Sequence, residues 1–421
     1  MERLPGFRDF YPEPLPHADV WSADARQYIF EHWRETARRY GFREYDGPPL
    51  ETLELFTTKS GSEIVGQLYN FVDKGERSVS LRPEMTPTLA RMVAAHERSY
   101  KKPIKWWAAP QLFRYERQQK GRLREHFQFN ADIVGEGSAA ADAELIALLI
   151  DTLRSFGLTE SDFVVRLSSR NAWHDYFQRH NSDASREYEF FQIIDKLERE
   201  QPETSAARLR ELGFSLDDVN GFIHRGEPTE ELKAILDNLA ARGMAAYARL
   251  DYGVIRGLAY YTGPVFEAFD PKGEFRAIAG GGRYDNLIKL LSGGKVDLPA
   301  LGFGMGDVVL LELLKSRRLL PKFESHLDVF CLIENEAERL PTLALVQELR
   351  NANLAVDYAL APAKGDKQFK RAQELKAAWI ARLERDPAGL PIVKARNLAT
   401  RVETTVQRDS LGSFIEQVRA R

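Results

Sequence analysis

The run IKWWAAPQLFRYERQQKGRLREHFQFNADIVG, residues 104–135, constrains the fold more than any other stretch of the chain. Two aromatic-rich segments flank the basic, glycine-containing QQKGRL, and the pattern reads as a strand, a loop and a strand. Arginines recur within such strand elements. LRPEMT carries Arg82, Glu84 and Thr86, the FRYERQQKGRLREHFQFNAD run carries Arg114, Arg117, Arg122, Arg124, Gln128 and Asp132, and IRGLAYY carries Arg256. In the fourteen residues VIRGLAYYTGPVFE, Val254–Glu267, the only acid is Glu267. Arg256 either snorkels to solvent or pairs with a distant carboxylate, or a negative ligand completes its surroundings.

Local patterns place the other elements. Helical periodicity runs through Asp19–Tyr40 around an Ile29/Trp33 stripe, and Gly41 terminates it. FREYDGPPLE is a short strand broken by Gly47-Pro48-Pro49, and SVSLRPEMTPTLARMVAAHE a strand giving way to a helix after Pro83. From about Arg170 to Arg249 the sequence is charged, helix-favouring and free of strand signals, which implies an inserted helical domain. FEAFDPKGEFRAIAGGGRYD contains a hairpin turn at Asp270-Pro271-Lys272-Gly273 and then a three-glycine step. After Pro321, the strand LDVFCLI, the helix ERLPTLALVQELRNAN and the strand LAVDYAL imply a small α/β domain with a mixed sheet. The expected boundaries are 1–169, 170–249, 250–322 and 323–421.

Composition excludes several classes. A single cysteine, Cys331, rules out an internal disulfide framework and suggests a reducing compartment, so a cytoplasmic location is expected. Eight scattered histidines with no Cys-x-x-Cys or His-Glu-x-x-His give no protein-held zinc site, and the metal expectation is none. MERLPGFRDF has no apolar run of the secretory type, and LIALLI is too short to cross a bilayer. No P-loop and no dinucleotide-type glycine fingerprint occurs, so a bound nucleotide would be held on a sheet by arginines. Converging guanidiniums with carboxylates between them suit a ligand carrying phosphates and an amine.

With these elements in place the chain resembles the class II aminoacyl-tRNA synthetases, and among them the histidyl-tRNA synthetase family. FRYERQQKGRLREHFQFNAD resembles the second class motif and GFREYDGPPLE the first, with its proline at Pro48. RGLAYYTGPVFE resembles the histidine-specific signature, followed by GGGRYD. RDFYP near the start and DKQFKRAQEL near the end extend the likeness over essentially the whole chain. Two positions depart from the family pattern. Ala259 replaces an acid in the signature, and GFGMGDVVL has Val308 and Val309 where the third motif usually reads Glu-Arg. Both changes resemble the plastid and cyanobacterial branch of the family.

The resemblance implies an α+β fold. It consists of the class II synthetase antiparallel sheet flanked by helices, a helical insertion that leans on the tRNA acceptor arm, and a C-terminal α/β anticodon-binding domain. It implies a histidine–tRNA ligase using L-histidine, ATP, Mg²⁺ and tRNA(His), working as a homodimer through the Gly41–Glu51 region and not on a membrane. Adenylation brings two anions together and needs fixed cations rather than a general base. Arg114 and Arg256 take that role by chemistry and by motif match. Histidine binding falls to Glu84, Met85, Thr86, Gln128, Asp132, Tyr260 and Tyr261, with Asp132 accepting from and Tyr261 donating to the imidazole. ATP binding falls to Arg114, Glu116, Arg122, Arg283 and an aromatic of the His126/Phe127 pair, assigned to Phe127. With valine at 309, Arg122, Arg124 and Arg283 remain alternatives for the ATP tail.

The C-terminal stretch 361–421 carries 13 Lys/Arg against 7 Asp/Glu, in a chain of net charge -3. Lys367, Lys370 and Arg371 fall at i, i+3, i+4 and suit tRNA phosphates. Two rival readings share the resemblance: a non-catalytic histidine-sensing regulatory subunit of ATP phosphoribosyltransferase, and a nucleic-acid-binding module on a vestigial catalytic fold. The retained C-terminal domain and the set Arg114, Gln128 and Arg256 favour the enzyme.

Overall fold

Alternating burial along the aromatic strands produces one large sheet with a helix-covered face and an open face. The computed structural model describes the chain apart from residues 1, 18–19, 61, 116–122, 198–199, 256–259, 324–326 and 421. The chain divides into two units, residues 1–321 and 322–421.

In the first unit the large sheet has nine described strands, β1 (Arg43–Glu44), β2 (Ile104–Ala108), β3 (Gln111–Phe113), β4 (Glu125–Val134), β5 (Val164–Ser169), β6 (Ala248–Leu250), β7 (Pro264–Phe269), β8 (Ala279–Arg283) and β9 (Ala300–Gly306). Their spatial order is β6-β5-β7-β8-β9-β4-β2-β1, with β3 pairing on β4. Every pairing from β5 through β7, β8, β9 and β4 to β2 is antiparallel. Parallel pairs occur only at the margins, β5 with β6 and β1 with β2. A parallel pair needs a long crossover. Between β5 and β6 it is made by five helices, Arg170–His180, Glu187–Lys196, Pro202–Glu211, Leu216–Arg225 and Glu230–Ala241. Their shared core is aromatic: Phe190 lies 5.7 Å from Trp173 and 4.5 Å from Phe214, ring centre to ring centre.

The side-chain parity of β4 decides which face is which. Phe129, Ala131 and Ile133 are at most 1% exposed. Phe129 stacks on Trp33 of the helix Ala23–Arg39, with ring centres 5.6 Å apart. That helix begins at Ala23, later than its periodicity predicts, because Ser22 caps it by accepting from the Ala25 amide at 3.1 Å. The preceding Trp21–Ser22 pairs with Phe10–Tyr11 as a short parallel ladder. Gly41, at φ +75°, lets the chain leave the helix. The helix Ala139–Ser155 lies beside the first one, with Leu145–Ile150 fully buried. These helices occupy the Phe129 side, so His126, Gln128, Asn130 and Asp132 look the other way.

The second unit has a mixed five-stranded sheet in the order Val356–Tyr358, Leu327–Leu332, Ala377–Arg385, Pro391–Asn397, Glu403–Gln407. The first two pairings are parallel and the last two antiparallel. Its core includes Val329, Cys331, Leu345, Trp379 and Phe414. Burial pushes the Cys331 thiol up to about 12.

Candidate active site

Glycines make the site possible. On the open face, Gly302 pairs opposite Asp132, Gly304 opposite Asn130 and Gly306 opposite Gln128. One strand further out, Gly282 pairs with Gly302 and Gly280 with Gly304. A Cβ at Gly302 would lie 1.9 Å from Asp132 Oδ1, and one at Gly304 would lie 2.6 Å from the Gln128 amide carbon. The two polar side chains therefore fold over a glycine floor that no other residue type could provide. Gly281 faces the helix side instead, where its missing side chain admits Phe266 and Phe303.

A cavity of about 240 Å³ opens over part of this floor, lined by Arg114, His126, Gln128, Glu267, Arg276 and by Gly280, Gly304 and Gly306. Arg114 follows β3. Its amide bonds to the Arg124 carbonyl at 2.9 Å and its Nε donates to the Pro83 carbonyl at 3.1 Å. That contact ties Arg114 to the turn of LRPEMT, which carries Glu84. Arg82 of the same turn is structural: it is 5% exposed and donates to the Gly47 and Gln111 carbonyls at 2.6 and 3.1 Å. Met85 is buried, and Thr86 opens the helix Thr86–His96.

Tyrosines wall the part of the site next to Asp132. Tyr260 donates to Glu84 Oε2 at 3.1 Å, and its ring lies 5.0 Å from Tyr261 and 6.0 Å from Tyr284. Tyr284 in turn donates to Asp132 Oδ1 at 2.6 Å. Burial pushes the Asp132 carboxyl up to about 7, against the opposing effect of that hydrogen bond. The Tyr45 hydroxyl is also buried beside Asp132, which raises its pKa after burial itself, and it has no hydrogen-bond partner among the described residues. Thus Glu84, Asp132, Tyr260 and Tyr261 form one neighbourhood, and Arg114 and Gln128 line the adjoining cavity.

Two sequence expectations meet a different placement. Phe127 faces the helix side of β4: its ring packs 6.0 Å from Phe10 and 5.2 Å from Phe30, and its amide donates to Asp307. The aromatic of the pair that lines the cavity is His126. Arg283 is 3% exposed and locked to Asp142, its Nε at 3.0 Å and its Nη2 at 2.5 Å, with the Ser138 carbonyl at 2.9 Å. Its guanidinium is consumed in this buried pair and is absent from the cavity lining. Arg256, Glu116, Arg117 and Arg122 lie outside the described residues.

Sequence reasoning missed a buried triad. Arg8 donates to Glu125 at 2.6 Å and to Asp307 at 2.7 Å, and all three side chains are at most 5% exposed. The triad fixes the start of β4 and the first residue of the helix Asp307–Ser316 to the N-terminal segment, one residue from His126 and one from Val308. Its only signal was the likeness of RDFYP to the family. Tyr284 had a signal in GGGRYD but no stated role. Glu267 closes the signature RGLAYYTGPVFE, also without a stated role, and Arg276 had no signal.

In the second unit, Lys367, Lys370 and Arg371 are exposed on the helix Gly365–Glu374, whose inward face is Gln368 and Ala372. Gln368 bonds both the amide and the carbonyl of Ile333, at 2.9 and 2.7 Å. The same helix lends Phe369 to a cavity of about 340 Å³ with Arg382, Lys394 and Arg396.

Comparison with known proteins agrees with this arrangement. Residues 18–307 match the family described as histidyl-tRNA synthetase, and residues 329–418 match the anticodon binding domain. The histidine–tRNA ligase of Opitutus terrae is 46% identical, with 99% of this chain and 98% of that protein covered. The chloroplastic/mitochondrial histidine–tRNA ligase of Arabidopsis thaliana is 38% identical over 88% of this chain and 78% of its own. The fold matches the crystal structure of histidyl-tRNA synthetase from Nostoc sp. PCC 7120 with a TM-score of 0.75, at 21% identity and 97% coverage of both chains. A glycine-floored sheet carrying arginine, glutamine and paired tyrosines, joined in one chain to an anticodon-binding unit, places this chain in the histidyl-tRNA synthetase family of ATP-dependent histidine–tRNA ligases.

Proposed function

We propose that the cavity over β8 and β9 holds ATP, with its α-phosphate against Arg114, and that histidine lies beside it under Tyr260 and Tyr261. The observation that carries this reading is that Arg114 and Gln128, from different segments, line one cavity over the glycine floor. The histidine ammonium points to Glu84, Thr86 and Gln128. Its neutral imidazole donates to Asp132 and accepts from Tyr261. The histidine carboxylate, already an anion, attacks the α-phosphorus and pyrophosphate leaves. Arg114 and, by its motif position, Arg256 neutralise the charge that accumulates on the phosphoryl oxygens. His126 takes the adenine side in place of Phe127.

Glu267 is the only carboxylate in the lining of this cavity among the described residues. Mg²⁺ is characteristically held by one or two carboxylates together with substrate phosphates, so this donor set fits it, and Glu267 would hold the ion. When bound, the ion offsets phosphate charge.

The second unit reads tRNA(His). Phe369 offers a stacking surface for an anticodon base and Arg382, Lys394 and Arg396 offer phosphate contacts, while Lys367, Lys370 and Arg371 extend the basic face. The five helices between β5 and β6 act as an insertion domain on the acceptor arm. The protein works in the cytoplasm as a homodimer through Gly41–Glu51, the stretch containing the sheet-edge strand β1.

Histidine-dependent ATP–pyrophosphate exchange tests the central reading. The protein is expected to catalyse exchange, and Arg114→Ala to lower it by about 10²–10³. Histidine binding without exchange would point to the regulatory subunit instead.

A further inference from the structure

The cavity has a second end, beside Val308 and Val309. A neighbouring apolar pocket of about 200 Å³, walled by Trp21 and Phe275, shares Leu123, Arg276, Val308 and Val309 with the ATP cavity. At this end the third class motif would place an arginine where Val309 stands, and the valine brings no charge.

Asp307 is held by Arg8, and Arg283 by Asp142. Arg124 lies over the Tyr115 ring, 4.5 Å from its centre, and outside the cavity lining. The two acids of the apolar pocket are paired as well, Glu274 with Arg317 at 3.0 Å and Glu312 with Lys315 at 3.1 Å. Among the described residues, the guanidiniums lining the ATP cavity are Arg114 and Arg276. Arg276 is exposed and reaches the cavity from the connection between β7 and β8, whose turn is set by Asp270 accepting from the Lys272 and Glu274 amides at 3.1 Å and by Gly273 at φ +69°.

We propose that Arg276 binds the β- and γ-phosphates of ATP and stabilises the departing pyrophosphate, supplying from the β7–β8 connection the cation that Val309 lacks. This rests on the reading of the cavity as the ATP site. A planar guanidinium grips phosphate oxygens through two parallel hydrogen bonds, so it positions the tail and also lowers the charge on the leaving group as the P–O bond breaks. Its effect is therefore confined to substrates that carry the two distal phosphates.

The experiment measures pyrophosphate exchange and, by calorimetry, binding of a non-hydrolysable histidyl-adenylate mimic that lacks those phosphates. For Arg276→Ala, kcat/KM for ATP is expected to fall by about 10- to 100-fold, with KM for histidine and affinity for the mimic within about twofold of the parent. Arg276→Lys is expected to recover part of the loss, because it restores the charge without the fork. Unchanged exchange in Arg276→Ala, or equal losses in ATP turnover and mimic affinity, would overturn the assignment. Arg114→Ala serves as the control for the cavity itself. If it leaves mimic binding and exchange intact, the ATP reading fails. If it abolishes them while Arg276→Ala is silent, only the tail assignment fails.

Discussion

Tyr284 donates its hydroxyl hydrogen to Asp132 at 2.6 Å, inside a site where both side chains are at most 3% exposed. This bond, from the tyrosine of GGGRYD, holds the carboxylate that is proposed to meet the histidine imidazole. It also partly offsets the burial that raises the Asp132 carboxyl from 3.8 to about 7.

Asp132→Asn is expected to stabilise the fold while weakening substrate binding. Between pH 3.8 and about 7 the folded chain binds more protons at this carboxyl than the unfolded chain does, so stability falls as pH rises through that window. The variant escapes this cost. Its melting temperature should match the parent near the bottom of the window, exceed it increasingly up to about pH 7 and hold a constant lead above. KM for histidine should rise roughly 10- to 100-fold, since an imidazole N–H loses a charged acceptor. A pH-independent difference in melting temperature would contradict the placement of this carboxyl.

Gly302→Ala tests the floor. The added methyl carbon would lie 1.9 Å from Asp132 Oδ1, so the carboxylate must swing away. Steady-state kinetics should show histidine kcat/KM falling by at least about tenfold, the scale of one lost charged hydrogen bond. KM for ATP should move much less.

Arg8→Ala leaves two buried carboxylates without their cation. Urea denaturation should report a loss of about 3–5 kcal/mol, the usual result of removing one partner of a buried pair. A loss below about 1 kcal/mol, typical of an exposed pair, would mean that the triad is solvated.

Charge removal at Lys367, Lys370 or Arg371 should weaken tRNA binding in a salt-dependent way. Each alanine variant is expected to reduce the slope of log K against log salt by about 0.7–0.9, with an unchanged far-UV circular dichroism spectrum. An unaltered slope would remove that side chain from the phosphate contacts.

Much of this fold can be read from local pattern, because the pattern is enforced by burial. Ile29 and Trp33 define the first helix, and the aromatics of β2 and β4 define the sheet. The site is legible where motif and parity agree: Gln128 and Asp132 are two turns of the pleat apart and share a face. Phe127 fails the same test, being one residue out of phase, so its ring belongs to the helix side. Arg283 is out of phase with Gly280 and Gly282 in the same manner, and meets Asp142. Parity alone would have excluded both. The partnership of Arg8 with Glu125 and Asp307 spans 117 and 299 residues, a separation at which no periodicity carries information. Arg276 stands in a connection between strands, where neither face nor phase is defined.

The glycine floor has a consequence for how this enzyme can change. Glycine is the smallest residue, so every substitution at 280, 282, 302, 304 or 306 subtracts room from the ligand and none adds any. In the proposed histidine pocket, room for a bulkier amino acid has to come from the side chains above the floor, the tyrosines first among them. Those same rings hold Glu84 and Asp132 in place, which couples any broadening of substrate range to a loss of polar recognition.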